Sequence, residues 1–246
     1  MNEHWRLFTK ICLSYPKMNN KILVIVAHPD DEVLGCGGTI FKHTKKGDEV
    51  FCLFLGRGKS SRYDAVEKNK TEAEQSVLEE EAHTAGKILG ISELFFEDFP
   101  DQQYDTVPFL DIIKAIEKIK NKIKPNIIFT HHAGDLNLDH QITFKAVLTA
   151  CRPIKSETVK EIYSFENPSS TEWASPKGEN YFMPNVFVDI SDNFDKKIKA
   201  LSAYKSEIKA YPHPRSVKAI EIIAQRWGTT VSKEMVEAFE LIRDLR

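Results

Sequence analysis

Residues 24–38 read VIVAHPDDEVLGCGG, an apolar run that ends in one histidine and three carboxylates within five residues. An apolar stretch without polar alternation is the pattern of a strand covered on both faces, as in parallel sheets layered with helices. Burying charges costs about several kcal/mol unless each finds a partner, a proton or a metal. The stretch therefore demands both a two-sided core and a chemical purpose at the strand's carboxyl end.

The flanking sequence supplies the layers. KILVIVA, GDEVFCLFLG, ELFFEDF and PNIIFT read as four strands. Between them Leu78, Ala82, Ala85 and Leu89 fall at helical spacing behind a capping box at Thr71–Glu74. Ile112, Ile116, Ile119 and Ile123 repeat the pattern after Thr106 and Pro108, which start that helix. The alternation predicts an α/β fold, a Rossmann-like and mostly parallel sheet with helices on both faces. Ligands of such sheets bind outside the carboxyl ends of the strands. HPDDE, GRG (56–58) and HHAGDLNLDH (131–140) each follow a strand and should share one rim.

The second half is less regular. EIYSFE and NVFVDI read as further strands that bring antiparallel pairing. NFDKKIKALSAYKSEI and VSKEMVEAFELIRDL read as amphipathic helices, the latter with Met235, Phe239 and Ile242 on one face. NPSSTEWASPKGEN (167–180) is a loop. GCGG (35–38) is expected to open the helix after the first motif, serving close approach to a ligand or helix–strand packing. No repeat appears, and the expected organisation is one domain over 21–246 behind an appendage at 1–20, with Met18 as an alternative start.

Composition removes several function classes. With 34 Lys+Arg against 36 Asp+Glu the formal charge is -2, so nucleic acid bound through a broad basic face is not expected. The four cysteines, Cys12, Cys36, Cys52 and Cys151, form no CxxC pair. That disfavours a disulfide scaffold and a zinc ribbon, and suits the reducing cytoplasm. Ile22–Ala27 is the longest clean apolar run, too short to span a bilayer, and no signal-peptide core is evident. No GxGxxG follows the first strand, which disfavours a dinucleotide. A homo-oligomer is compatible with the aromatic content.

His28 and Asp31 can be aimed at one point by a tight turn after the strand, and His140 is the natural third ligand. Two histidines and a carboxylate, with a position left for water, suit catalytic zinc; Fe2+ suits the same set. Bound zinc would lower the pKa of water and polarise a carbonyl. Asp30, adjacent but not a ligand, would take the proton and hand it to a leaving amine. Arg57 in GRG and Arg215 in HPRS are candidates for substrate contacts, and Trp173 could stack on a sugar ring.

AHPDDEVLGCGG with a downstream DxNxDH resembles the LmbE-like, or PIG-L, zinc-dependent N-deacetylases. The resemblance is strongest from Lys21 to Gln141 and continues more weakly through FENPSSTEW and YPHPRS to the last helix. It implies removal of acetyl groups from N-acetylated amino sugars in glycosides, nucleotide- or lipid-linked sugars and thiol cofactor precursors. It implies His28, Asp31 and His140 as zinc ligands, Asp30 as general base, Asp139 as a supporting carboxylate beside the metal ligand, and Glu32 as a partner behind the ligands. One departure stands out. Where many members carry His-x-Asp-His, this chain has Asn137, which can donate to an oxyanion but cannot ionise. His131, His132 or His213 could take over the lost acid role, His213 first. Two rival readings remain at this point: the same fold hydrolysing another small amide, and a non-catalytic sugar- or nucleotide-binding module.

Overall fold

The computed structural model describes residues 19–58 and 68–246. Most of the expected appendage, with Cys12 and Met18, lies outside the described residues. The first strand, β1 (Lys21–Val26), is buried from its second residue onward. Its side chains alternate between two cores: Ile22, Val24 and Val26 face one, Leu23, Ile25 and Ala27 the other. Full burial of such side chains contributes roughly 1.5–3 kcal/mol each. This is why the run carries no polar alternation.

Six further strands complete one sheet: β2 (Glu49–Phe54), β3 (Glu93–Phe96), β4 (Ile127–His131), β5 (Glu161–Phe165), β6 (Val186–Asp189) and β7 (Val236–Asp244). The order is β3-β2-β1-β4-β5-β7-β6. The first five strands pair in parallel, and β7 pairs antiparallel with both β5 and β6. One face is covered by α1 (Asp31–Lys45), α2 (Lys68–Leu89) and α5 (Phe194–Leu201), the other by α3 (Phe109–Ile123) and α4 (Leu138–Ala150). The sixth helix, α6 (Val217–Val231), packs Trp227 against β7 residues Val236 and Ala238. The chain winds outward from β1 in one direction and from β4 in the other. The crevice between their carboxyl ends is the switch point where such sheets bind ligands.

Several local expectations are corrected. VSKEMVEAFELIRDL is not a helix: its core is β7, in which Val236 and Ala238 meet the α6 core while Phe239 meets the α1 side. Burial on both faces produced an apolar spacing that mimics a helical one. The expected helix at 193–208 is α5 alone and stops at Leu201. α6, capped by Ser216 accepting from Ala219 N at 3.1 Å, was not among the expected elements. Thr71 lies inside α2 rather than at its cap. α3 starts as expected, with Pro108 at its N-cap.

GCGG does not open α1, which begins at Asp31; it forms a kink, with Cys36 at φ -145°, ψ 22°. A Cβ on Gly35 would lie 2.1 Å from Phe165, so this glycine lets α1 sit directly on β5. The two halves of the kinked helix are joined through a buried ion pair. Glu237 of β7 accepts from Gly38 N at 2.9 Å and Thr39 N at 2.7 Å. Lys197 donates to Leu34 O at 2.8 Å and to Glu237 at 2.6 Å. Cys36, Cys52 and Cys151 are free and buried, and no helix among the described residues is long and apolar enough to cross a membrane.

Candidate metal centre

The first motif leaves β1 at Ala27 and enters α1 at Asp31, so His28 and Asp31 face each other across a tight turn. His28 N donates to Asp31 Oδ2 at 2.8 Å, which fixes the carboxylate. The second motif leaves β4 and enters α4, where the Asn137 side chain caps the helix by accepting from Asp139 N at 2.9 Å. That first turn brings Asp139 and His140 back over the rim. His28 Nδ1 lies 3.6 Å and His140 Nε2 lies 3.5 Å from Asp31 Oδ2. These separations are long for hydrogen bonds but match the ~3.4 Å edge of a tetrahedron with ~2.1 Å bonds to zinc.

Both histidines have a carboxylate behind them. His28 Nε2 lies 3.1 Å from Asp139 Oδ2 and 3.1 Å from Asp101 Oδ1. His140 Nδ1 lies 3.2 Å from Asp135 Oδ1. Such partners fix the tautomer and aim of a ligating imidazole. Asn167 Nδ2 donates to the other Asp31 oxygen at 2.7 Å. His131 stacks on His140, ring centroids 3.8 Å apart, and accepts from Ala27 N at 2.9 Å.

The electrostatics call for a cation. Burial opposes charge on Asp31, but the imidazoles of His140, His131 and His28 outweigh it and hold the carboxyl well below the usual range. Burial would also lower His28, yet hydrogen bonds to Asp101 and Asp139 and the nearby Asp31 charge hold its imidazole well above 6.5. Burial and neighbouring His140 push His131 down to about 3, so it is neutral. Burial raises Asp135, but His140, Ser170 and Thr171 bring it to about 2. Asp30, Asp31, Asp101, Asp135 and Asp139 are all buried, and Arg215 is the guanidinium that reaches this group among the described residues. A divalent ion between His28, Asp31 and His140 fits both the donor set and the surplus of negative charge.

A polar cleft of about 120 Å³ opens beside these residues, lined by His28, Asp30, Asp101, Gln102, Asn137 and Arg215 among others. Asp30 sits at φ 107°, a left-handed conformation that costs a non-glycine residue of order 1–3 kcal/mol. Glu32 holds it there: one carboxylate oxygen accepts from Asp30 N at 3.1 Å, the other from Tyr204 OH at 2.6 Å. Burial pushes Glu32 up to about 7 against the pull of Tyr204. Burial also raises Asp30 well above the usual carboxylate range, with the Arg215 guanidinium opposing it.

His28, Asp30, Asp31, Asn137, Asp139, His140 and Arg215 thus come together from distant segments. Arg215 donates to Asp30 Oδ2 at 2.8 Å and to Ser169 Oγ at 2.7 Å, so its first partner is the proposed base. His213 accepts from Arg215 N at 3.1 Å and packs edge-on to Trp173; neither ring lines the cleft. Arg57 is paired with Glu79 and lies 3.5 Å from Asp98. His132 points away to Glu240 at 2.8 Å. Asp101 and Asn167 were missed in the sequence, although both follow strands and so belong on the carboxyl rim.

Comparison with known proteins agrees with this geometry. The chain is 31% identical over 200 residues to the uncharacterized deacetylase YaiS of Escherichia coli K12, covering 79% of this chain and 95% of that one. It is 31% identical over 202 residues to the diacetylchitobiose deacetylase of Thermococcus kodakarensis, covering 76% and 70%. The fold is shared with the solved structure of the 4-carboxy-2-hydroxymuconate hydratase GalB of Pseudomonas putida KT2440, with TM-score 0.71, 20% identity and coverage of 91% and 96%. One architecture thus carries more than one reaction, and the site has to decide between them. The PIG-L family profile, GlcNAc-PI de-N-acetylase, matches residues 23–151, just over half of the chain and both motifs, and the chain belongs to that family.

Proposed function

We propose that the protein is a metal-dependent hydrolase that removes the acetyl group from an N-acetylated amino sugar, giving the free amine and acetate. The observation that carries this reading is the convergence of His28, Asp31 and His140 beside a buried, non-ligating Asp30. The relatives named as deacetylases, one of them acting on diacetylchitobiose, support the substrate class.

His28, Asp31 and His140 would hold a divalent ion, which would supply Lewis acidity toward an acyl oxygen and bring the pKa of water toward ~7. Asp30 takes the proton of the attacking water and returns it to the departing nitrogen. Arg215 keeps the Asp30 carboxyl turned into the cleft through its 2.8 Å bond. The Asn137 oxygen is occupied by the helix cap, which leaves its amide N–H groups to donate to the developing oxyanion.

Acetate release from a panel of N-acetylated sugars, measured alongside metal content, tests these roles. Asp30→Asn should abolish turnover, and Asn137→Ala should lower kcat by roughly 10²–10³-fold. Both should keep the metal. An active Asp30→Asn enzyme would remove this residue as the proton carrier, and parallel loss of metal and activity in Asn137→Ala would remove the oxyanion role.

A further inference from the structure

Five residues other than glycine take positive φ among the described residues: Asp30, Gln102, Lys124, Ser169 and Ser232. Lys124 and Ser232 close α3 and α6 as C-caps, where a left-handed residue ends a helix. The other three stand around the metal cluster. Asp30 is the proposed base, and Ser169 Oγ accepts from Arg215 Nε at 2.7 Å. Gln102 is the third, and its side chain needs a reason.

Its setting is a tight turn. Gln103 N donates to Pro100 O at 3.1 Å, which makes Gln102 the third residue of a β-turn, at φ 59°. Glycine or asparagine usually fills such a position, because other side chains crowd the backbone there. Residues held in that conformation cost free energy and cluster at active sites and ligand clamps. The main chain explains the turn but not the side chain. Gln102 N donates to Asp139 Oδ2 at 2.7 Å, and the same oxygen lies 3.1 Å from His28 Nε2. Any residue except proline would supply that N–H.

The side chain lines the cleft together with His28, Asp30 and Asn137. Of the uncharged polar side chains in that lining, Asn137 has its oxygen committed to the α4 cap. The Gln102 amide makes no hydrogen bond among the described residues, so it offers both N–H groups and its oxygen. A neutral group that donates and accepts matches a sugar hydroxyl, which does the same, and has little to offer a methyl group. We propose that Gln102 is a specificity-determining residue whose side-chain amide hydrogen-bonds a ring hydroxyl of the reacting amino sugar, an inference that rests on the deacetylase reading above.

Gln102→Gly keeps the main-chain N–H and removes the side chain at a position that favours glycine. The variant should unfold in urea no earlier than the native chain and should keep its metal. Its kcat/KM on N-acetylglucosamine should fall by about tenfold or more, mainly through KM. In the native enzyme one of the 3-deoxy, 4-deoxy and 6-deoxy N-acetylglucosamines should show a similar loss. The variant should not distinguish that sugar from its parent. An unchanged kcat/KM in the variant, the same deoxy-sugar penalties in both proteins, or a loss that follows metal content overturns the role. Absence of acetate release from every sugar would instead count against the deacetylase reading. Calorimetric titration of the zinc-loaded proteins with N-acetylglucosamine then decides the Gln102 role. Binding about tenfold weaker in the variant supports the contact; equal affinity, or no binding by either protein, overturns it.

Discussion

His131 and His132 are neighbours in sequence and opposites in environment. The strand's alternation sends His131 into the metal cluster, where it stacks on His140 and stays neutral, and sends His132 to Glu240 of β7. Burial works against the His132 charge, but the Glu240 bond raises its pKa; the same bond lowers Glu240 against its own burial. The His132 contribution to stability is therefore complete below ~6.5 and fades as pH rises through the higher folded value. The Glu240 contribution is complete above ~4.3 and fades as pH falls through the lower folded value. The stability gap between the native chain and Glu240→Gln should be widest between these limits and shrink toward pH ~9. Urea unfolding across that range measures it, and a gap independent of pH would contradict the assignment.

Helix α1 works as two pieces. The first turn carries Asp31 and Glu32 and rests on the strained Asp30; the second begins after Cys36 with its N–H groups bound by Glu237. Lys197 ties the Leu34 carbonyl of the first piece to that carboxylate. Removing one member of a buried pair typically costs about 3–5 kcal/mol because the other is left uncompensated. Glu237→Ala should lower the free energy of unfolding by that amount, and the double replacement Lys197→Met/Glu237→Leu should recover much of it. Denaturant midpoints check this; a single variant as stable as the native chain would show that the pair does not join the helix. None of it was readable beforehand, because the segment that holds Glu237 reads as an amphipathic helix. β7 was misread for the same reason: Met235, Phe239 and Ile242 keep a helical spacing, while pairing with β5 and β6 decides the conformation. For α6 the signal was present, in Ser216 followed by Ile220, Ala224 and Trp227 on one face.

Across the whole molecule, what could be read from the sequence is what the sheet makes periodic or chemically conspicuous. β1 announces itself by apolar side chains on both faces, and HPDDE by charges that no buried strand end tolerates alone. His140 was legible because its segment also follows a strand. Asp101 and Asn167 were not, since a lone polar residue in a loop gives no hint of which side chain it will meet. Arg215 was legible as a candidate for substrate contact, but its engagement with Asp30 depends on the fold of the 207–216 segment. The sheet order brings these segments to the crevice between β1 and β4, and a cation accounts for so much buried acid there. The decisive measurement is metal stoichiometry after chelator stripping, reloading with zinc and gel filtration, comparing the native chain with Asp31→Asn and His140→Ala. About one ion per chain is expected in the native protein and less than about a tenth of that in either variant. Full retention of the ion in both variants would contradict the site.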